Sequence, residues 1–293
     1  MLTTILVITY KDGKTINKLL KKFANQYKVV VVENSNNKNF KKKLENKYKN
    51  LSCILTGSNL GFSKACNIGL KKIKTKYALL INSDIDIDYL KIKKIEKIAL
   101  DTKIFSILAP NTPHTENFLL ANHDRLQNNE LIKYNNLLYQ TNKLPGCFFF
   151  LNLKDIKKIK YFDENFFFYF EDLDLCKRLT KLNKKIYLIK KIFVKHNANP
   201  NNTIPMREWH FNWAMFYYHK KHYGYLSAFR LFFKKLIRFF LLKYLNFFFN
   251  KKKYLIYSCR FNGLLTQFLN AKSYSYKIFY NNNKIIIDNW KIS

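Results

Sequence analysis

Three acidic side chains directly follow a run of aromatic residues in the segment NFFFYFEDLDLCKRL at 165–179. Acids in the first turn of a helix are stabilised by the helix dipole, and Asp174 can also pair with Arg178 four residues later. Residues two apart point to different sides of a helix, so Asp172 and Asp174 do not share one site, which argues against a glycosidase with two carboxylates. One acid, Glu171 or Asp172, is left over beside apolar surface, where its pKa would rise toward that of a general base.

An oxygen-rich turn, NSDID at 82–86, follows a strongly apolar predicted strand. Asn82, Asp84 and Asp86 carry the oxygen ligands that Mg²⁺ or Mn²⁺ prefers, and a bound diphosphate would complete the shell of such a cation. The alternative is a turn rich in Asn and Asp that only caps the following helix. The turn by itself leaves both readings open.

Polar residues also end other predicted strands. Thr9 and Tyr10 end the first strand, and Glu33 ends the second, where a carboxylate can accept hydrogen bonds from a nucleotide's base or ribose. His196 closes the strand IFVKH. A single His of this kind is either structural or a metal ligand, and its place at the same sheet edge as Asp84 favours the ligand.

The loop GSNLGFSKACNIG at 57–69 enters a predicted helix. Free amides at a helix N-terminus favour an anion, and Lys64 could add positive charge, whereas the alternative is an ordinary capped loop. The loop is neither a Walker loop nor a GxGxxG turn, so NTP hydrolysis and a dinucleotide cofactor are both disfavoured.

The elements that must position these residues alternate between strand and helix over the first hundred residues. Continuous apolar strands that alternate with helices indicate an α/β fold, with a mainly parallel sheet covered by helices on both faces. Ligands bind at the carboxyl ends of the strands in such sheets, where the polar residues described above lie. The predicted strands are 3–9, 28–33, 53–56 and 77–82, and the predicted helices are 14–27, 39–49 and 63–74.

The rest of the chain is less regular. Residues 101–145 are polar and are predicted to form loop with short elements, followed by a strand at 144–153. A helix is predicted at 172–183 and extended chain at 184–197. From about Met206 to near residue 272 the pattern changes to long amphipathic helices, and this change predicts a domain boundary.

The charge of the chain indicates an anionic partner. The sequence has 53 Lys and Arg against 19 Asp and Glu, a formal net charge of +34, which suggests nucleic acid, anionic lipid or a phosphate-bearing substrate. Only six of the basic residues are Arg, the residue that phosphate and base recognition favours. Nucleic acid is therefore disfavoured, and part of the charge is compositional bias in Lys- and Asn-rich runs such as 34–50.

Cysteines and apolar stretches bear on the location of the protein. The five cysteines include no CxxC pair, so they indicate neither a disulfide framework nor a zinc site and favour a reducing compartment. The first residues do not have the pattern of a signal peptide. The most apolar stretch, 228–250, carries five basic residues, too many for a membrane span. Its Arg230, Lys234 and Arg238 form a basic stripe that predicts a helix lying in an anionic membrane interface, and the alternative is a helix packed on the rest of the protein.

Taken in order, these motifs resemble the family 2 glycosyltransferases with a GT-A fold, especially their rhamnosyltransferase-like bacterial branch. The resemblance covers about residues 1–200, and it implies a nucleotide-sugar-binding catalytic domain at 1–204 and a helical, membrane-associated region at 205–293. The matching pieces are ILVITY, VVVVENS, NLGFSKACNIG, YALLINSDI, PGCFFFLN and FDENFFFYFEDLDLCKRL, followed by His196.

The resemblance implies an inverting, metal-dependent hexosyltransferase. Such an enzyme would move a sugar, for example rhamnose, from a UDP- or dTDP-linked donor to a hydroxyl of a glycan or lipid-linked acceptor in cell-surface polysaccharide synthesis. It would use Mg²⁺ or Mn²⁺ and act in the cytoplasm, at the inner face of the cell membrane. The alternative is a basic nucleic-acid-binding protein without enzymatic activity. A nucleotidyltransferase of related topology would need a Gly-rich phosphate loop, and TYKDGKT is too poor in glycine.

The resemblance also implies roles for individual residues. Asp172 matches the catalytic base, with Glu171 beside it as a supporting residue. Asp84 matches the direct metal ligand of the family's DxD motif, with Asp86 in support, and His196 matches a histidine that assists the metal or the diphosphate. The residues expected to bind the donor nucleotide are Thr9, Tyr10, Glu33, Asn59, Lys64 and Asn82.

Overall fold

The computed structural model describes residues 2–113, 115–121, 131–197, 204–270, 276–281 and 284–289. The chain divides into two compact units. The first unit comprises residues 1–163 and 171–198, and the second comprises 164–170 and 199–293.

The centre of the first unit is one sheet to which nine of the described strands contribute. Two further strands, β5 and β11, pair only with each other. The strands are β1 (Thr3–Thr9), β2 (Lys28–Glu33), β3 (Leu51–Leu55), β4 (Tyr77–Asn82), β5 (Ile85–Asp86), β6 (Ile107–Asn111), β7 (Leu131–Lys133), β8 (Leu138–Thr141), β9 (Phe148–Asn152), β10 (Ile186–Phe193) and β11 (Lys195–His196).

The order along the sheet is β3-β2-β1-β4-β9-β6-β10-β8-β7. The first four strands in this order are mutually parallel, as are β6 and β10. Strand β9 runs antiparallel between β4 and β6, so it begins at the edge of the sheet where its neighbours end. The parallel register aligns Thr9 with Glu33 and Ile8 with Asn82. Polar residues from β1, β2 and β4 are thereby brought to one edge.

Helices cover both faces of this sheet. Alternate residues of each strand point to opposite faces, so Val7 of β1 lies in one apolar core and Leu6 in the other. Helices α1, α2 and α4 contribute to the first core, and α3, α6 and α7 contribute to the second. The helices of the first unit are α1 (Gly13–Leu20), α2 (Lys38–Lys47), α3 (Phe62–Lys72), α4 (Tyr89–Thr102), α5 (Thr115–Leu120), α6 (Leu153–Lys158) and α7 (Glu171–Thr180).

Helix α3 approaches the sheet closely at Gly69. A Cβ atom there would lie 2.3 Å from Cδ1 of Leu6, so a larger residue would have to displace the Leu6 side chain. This contact sets the distance between α3 and the sheet, and it thereby also sets the position of the loop that precedes the helix.

The predicted α/β fold class, with a mainly parallel sheet and C-terminal helices, is confirmed. Helix α1 is shorter than predicted and ends at Leu20. The following turns are more tightly wound, because the amides of Lys22 and Phe23 bond to carbonyls three residues earlier.

The stretch 101–145 contains more regular structure than predicted. Strand β6 lies in the middle of the sheet, although the polar stretch to which it belongs is predicted to be mostly loop, and it includes Pro110. The two residue pairs between β6 and β9 are made by Ile107 and Leu108, so Pro110 lies beyond them and its missing N–H is not needed there. Residues 114 and 122–130, which belong to the same prediction, lie outside the described residues.

Three long helices dominate the second unit: α8 (Ile204–Tyr223), α9 (Tyr225–Phe249) and α10 (Lys251–Phe268). The aromatic segment 164–170 packs on α8, with Phe166 4.9 Å from Tyr217 and Phe167 stacked on His210 at 4.8 Å between ring centroids. Strands β12 (Tyr276–Asn281) and β13 (Lys284–Asn289) form an antiparallel pair. Within the described part of the chain, none of the helices combines the length and the apolar character needed to cross a membrane.

Candidate functional site

A buried carboxylate, Glu33, lies at the end of β2 and is only 1% exposed. Its Oε1 accepts hydrogen bonds from the amide of Lys11 at 3.0 Å and from the hydroxyl of Ser35 at 2.6 Å. Its Oε2 is buried and has no hydrogen-bond partner. Lys11 adopts a left-handed backbone conformation with φ 53°, which is costly for a residue other than glycine. The chain therefore positions Glu33 with one oxygen left for a ligand.

A cavity of about 480 Å³ lies beside Glu33, a volume in the range of small-molecule sites. It is bounded by residues that follow β1 and β2, including Asp12, which caps α1, and Asn37, which caps α2. Sequence reasoning missed several of them, although they directly follow the predicted strands. The lining residues are Lys11, Asp12, Gly13, Glu33, Ser35, Asn36, Asn37 and Phe40.

The other residues expected to bind a nucleotide are placed differently. Thr9 is buried, with a hydroxyl that has no hydrogen-bond partner, whereas the following Tyr10 is exposed. Asn59 supports its own loop, since its Oδ1 accepts from Nδ2 of Asn34 at 2.9 Å and from the amide of Gly61 at 3.1 Å. Lys64 is exposed on the first turn of α3. None of these four is among the residues that line the cavity.

Asp84 and His196 meet because β5 pairs antiparallel with β11. Nε2 of His196 lies 3.2 Å from Oδ1 of Asp84, and the two side chains are 17% and 14% exposed. Oδ1 of Asp84 makes no regular hydrogen bond, and Oδ1 of the nearby Asn82 is also buried without a partner. Burial alone would lower the pKa of His196, but its interactions with Asp84 and Cys147 outweigh burial and raise the pKa to about 10.

These side chains have the chemistry of a partial cation site. Unpaired buried oxygens and an imidazole suit Mg²⁺ or Mn²⁺, which is commonly bound by one or two protein ligands together with substrate phosphates. In the described residues, no group of three His, Cys, Asp or Glu side chains could hold a metal ion by itself. The donor set therefore fits a cation only when a ligand such as a diphosphate supplies the remaining oxygens.

Asp86, expected as a supporting residue, is engaged elsewhere. Its carboxylate pairs with Lys22, which follows α1, and this hydrogen bond holds the pKa of Asp86 below its usual value. Asp84 and Asp86 thus differ in environment, and Asp84 is the one that meets His196.

The turn before β9 connects this cluster to Asp172. The carbonyl of Cys147 accepts a hydrogen bond from the amide of Asn82 at 3.1 Å. The adjacent Gly146 donates its amide to Oδ2 of Asp172 at 2.9 Å, and the amide of Leu173 donates to Oδ1 at 2.8 Å. Since Cys147 also interacts with His196, contacts run without a break from Asp84 to Asp172.

Asp172 and Glu171 are adjacent acids with different surroundings. Burial raises the pKa of Asp172, although the amides of Gly146 and Leu173 oppose the shift. Burial, and then the neighbouring charge of Asp172, raises the pKa of Glu171 well above its usual value. Oε2 of Glu171 has no hydrogen-bond partner, and its charge would act on the buried Cys66 of α3. Burial therefore favours the neutral form of Glu171, beside a partly exposed Asp172.

Asp174 has the structural role that its spacing predicted. Its carboxylate pairs with Nε of Arg178 at 2.7 Å, and the same guanidinium donates to the carbonyls of Ile159 and Tyr161, each at 2.7 Å. The ion pair anchors α7 to the turn after α6. Before α7, Tyr169 and Phe170 both have positive φ, 71° and 66°, and this unfavourable turn sets where the helix begins.

Comparison with known proteins adds three findings. The sequence model of glycosyl transferase family 2 matches residues 4–160, which is more than half of the chain. The low-salt glycan biosynthesis hexosyltransferase Agl10 of Haloferax volcanii is 23% identical over 214 residues, which are 68% of this chain and 68% of that protein.

Solved structures share the fold. The mannosyltransferase PcManGT from Pyrobaculum calidifontis, in complex with GDP-Man and Mn²⁺, has a TM-score of 0.59 and 9% identity and covers 92% of this chain and 87% of its own. S. aureus TarS 1-349 has a TM-score of 0.54 and 14% identity, with coverage of 99% and 97%. The chain spans 44% of the longer S. aureus TarS structure.

Gly146 offers a test of how Asp172 is held. A Cβ at position 146 would lie 2.9 Å from Cβ of Asp172, so Gly146→Ala should push the acid away from its amide donor. We expect the free energy of unfolding to fall by about 1–3 kcal/mol, as for other overpacked sites. Urea unfolding measures this change. Gly13→Ala, where the new Cβ would only touch Phe40 at 3.5 Å, is the control and should not destabilise the protein. Equal losses in both variants would contradict the close approach.

Proposed function

The chain belongs to glycosyl transferase family 2, and from this we propose that it moves a hexosyl group from a nucleoside diphosphate sugar to an acceptor hydroxyl with inversion at the anomeric carbon. The family and the hexosyltransferase relative support glycosyl transfer. The observation that carries the finer proposal is the continuous set of contacts from Asp84 through His196, Cys147 and Gly146 to Asp172.

We assign the donor nucleotide to the cavity beside Glu33. The buried Oε2 of Glu33 can accept a hydrogen bond from a base N–H or a ribose hydroxyl, and desolvation makes an unfilled acceptor costly. The structural relatives carry donors of this class: TarS 1-349 is solved with UDP and with UDP-GlcNAc, and PcManGT with GDP-Man. A UDP- or dTDP-linked sugar is the donor that we propose.

We assign the divalent cation, Mg²⁺ or Mn²⁺, to Asp84, with His196 beside it. A cation bound there would neutralise charge that develops on the leaving diphosphate. Asp84 offers its Oδ1, which lies 3.2 Å from Nε2 of His196, and Asn82 offers a second buried oxygen nearby. His196 either ligates as a neutral imidazole or, when protonated, donates an N–H to the diphosphate.

Asp172 is the general base in this proposal. Its carboxylate takes the proton of the acceptor hydroxyl while that oxygen bonds to the anomeric carbon and the bond to the diphosphate breaks, so one displacement inverts the configuration. Two amide donors hold the carboxylate in place, and burial raises its pKa toward the range of an efficient base. Because Glu171 is held neutral, it supports Asp172 without placing a second charge beside it.

The remaining predictions belong to the same proposal. We keep residues 1–204 as the catalytic domain and 205–293 as a helical region associated with a membrane. A rhamnosyl donor, a glycan or lipid-linked acceptor, a role in cell-surface polysaccharide synthesis and a location at the inner face of the cell membrane are proposed from the resemblance alone.

Asp172→Asn should remove the base and leave the donor site intact. We expect the rate of nucleoside diphosphate release from a donor sugar to fall by roughly 10²–10⁴-fold. The thermal shift produced by the donor should stay close to that of the unchanged protein. Glu171→Gln is the matched control, because it replaces a neutral acid by a neutral amide and should cost far less activity. Retained turnover in Asp172→Asn would refute the assignment of the base.

The pH dependence of turnover tests the raised pKa of Asp172. The base works as a carboxylate, so kcat/KM should fall as the pH drops through its pKa. Because burial raises that pKa, the fall should occur at higher pH than for an ordinary Asp. The titratable neighbours of Asp172 are Glu171 and Cys176, and burial raises the pKa of each. Neither of them opposes the rise in the pKa of Asp172. Measuring donor binding over the same pH range distinguishes protonation of the base from weaker binding of the donor. If kcat/KM did not fall at low pH, the proposal would be contradicted.

Asp84→Ala should abolish the contribution of the cation to donor binding. We expect UDP-, dTDP- or GDP-sugars to raise Tm more with Mn²⁺ than without it, and Asp84→Ala to lose this extra rise. Asp86→Ala, which breaks the Lys22 pair instead, is the control and should keep the extra rise even if its starting Tm is lower. The opposite pattern, with the Mn²⁺ effect lost in Asp86→Ala alone, would move the cation away from Asp84.

A further inference from the structure

Helix α9 has an exposed apolar face over its C-terminal two thirds. The inward side of the helix is buried through Ala228, Phe232 and Phe239. On the opposite side, exposed large apolar side chains recur every three or four residues from Phe233 to Phe248 and form a stripe over about 22 Å of helix, with Leu226 on the same side beyond Arg230. Contiguous exposed apolar surface of this kind marks an interaction site. Its exposed residues are Leu226, Phe233, Ile237, Leu241, Tyr244 and Phe248.

The stripe leads to an aromatic tip at the turn between α9 and α10. Phe248 and Phe249 are 83% and 87% exposed, among the highest values for large apolar residues in the described chain. The exposed Lys251, Lys252 and Lys253 follow directly. Three aromatic rings, counting Phe247, are therefore presented beside three ammonium groups.

Basic residues flank the stripe, and acids are absent from the sequence around it. Arg230, Lys234 and Arg238 are exposed on α9, at spacings of four residues. The sequence has no Asp or Glu from residue 209 to residue 287. Glu208 of α8 lies before this stretch and is already paired with Arg260 at 2.7 Å. The stripe therefore combines apolar surface with basic side chains on a stretch of sequence that carries no acid.

An anionic lipid surface is the partner that satisfies both properties. Lipid headgroups pair with Lys and Arg, and the acyl boundary below them accepts Phe, Leu and Ile. A second copy of the same stripe would bring Arg230 and Arg238 against like charges. A nucleic acid would pair with the basic residues but would leave the apolar stripe in water. The five basic residues from Arg230 to Lys243 are compatible with a helix that lies in the interface plane.

We propose that α9 and the α9–α10 turn dock on an anionic lipid bilayer, with Phe247–Phe249 inserted at the acyl boundary and Lys251–Lys253 on the headgroups. Docking would hold the enzyme at a lipid surface independently of its donor site. It rests on the proposed function, which places residues 205–293 at a membrane, and it deepens it by naming the surface that docks and the lipid class that the surface recognises.

Co-sedimentation of the full chain with vesicles tests the docking. At about 0.15 M salt, we expect binding to phosphatidylcholine vesicles with roughly 30% phosphatidylglycerol and much weaker binding to phosphatidylcholine alone. Phe247→Ser/Phe248→Ser/Phe249→Ser should lower the partition coefficient by about 10-fold or more. Arg230→Glu/Lys234→Glu/Arg238→Glu should lower it by about 100-fold, at roughly five-fold per basic residue.

Matched controls come from exposed residues of the first unit. Leu90→Ser/Ile104→Ser removes apolar side chains of similar exposure, and Lys42→Glu/Lys43→Glu/Lys49→Glu makes the same change in charge. Both should bind vesicles nearly as well as the unchanged chain. Thermal melting and the donor-induced shift show whether each variant is folded, so failure here is distinguishable from failure of the proposed function.

Four outcomes would overturn the proposal. The first is no binding to anionic vesicles. The second is equal loss of binding in the control variants, which would show that vesicle binding depends on the overall charge of the chain and not on α9. The third is a dimer in sedimentation velocity that the serine variant dissociates, because the stripe would then be covered by a second copy. Selective RNA binding lost with the three α9 basic residues, without vesicle binding, would likewise assign the surface to another partner.

Discussion

Strand β1 lies parallel between β2 and β4, and this register aligns Thr9 with Glu33 and Ile8 with Asn82. Parallel strands end at the same edge, so their terminal polar residues gather there without any local sequence signal. Strand β9 is antiparallel to β4 and therefore begins at that edge, which is why the amide of Gly146 can reach Asp172. If the register slipped by one residue, the side chains that face the two apolar cores would exchange, and Thr9 and Glu33 would no longer be aligned at this edge.

The acids at this edge are distinguished by what surrounds each carboxylate. Glu33 has one oxygen filled by two donors and one unfilled. Asp84 meets an imidazole, whereas Asp86 is paired with a lysine. Asp172 holds two backbone amides and keeps partial exposure, while Glu171 is buried and neutral. Identical functional groups can therefore take different roles within a short distance, because burial and donor number decide their charge.

Charge is distributed unevenly along the chain. Acids are placed at strand ends and at the start of α7, whereas the sequence from 209 to 287 has none. The aromatic run before α7 packs within the second unit, on His210 and Tyr217 of α8, while the acids that follow it belong to the first. The run is thus structural, and positive φ at Tyr169 and Phe170 ends it where the acids begin. Because the acidic and the basic residues lie in different parts of the chain, they can bind different partners.

The sequence by itself determined the strand–helix alternation, the sheet edge at which polar residues collect, and the pairing of Asp174 with Arg178, because these follow from periodicity and short spacings. It did not show β6, a central strand within the polar stretch 101–145, or the lining contributed by Asp12 and Phe40. Only the tertiary structure decided that Asp84 meets His196 while Asp86 turns to Lys22, and that Asn59 supports a loop. Such choices depend on long-range pairing, as between β5 and β11, and residues as far apart in the chain as Asp84 and His196 carry no local signal of their contact.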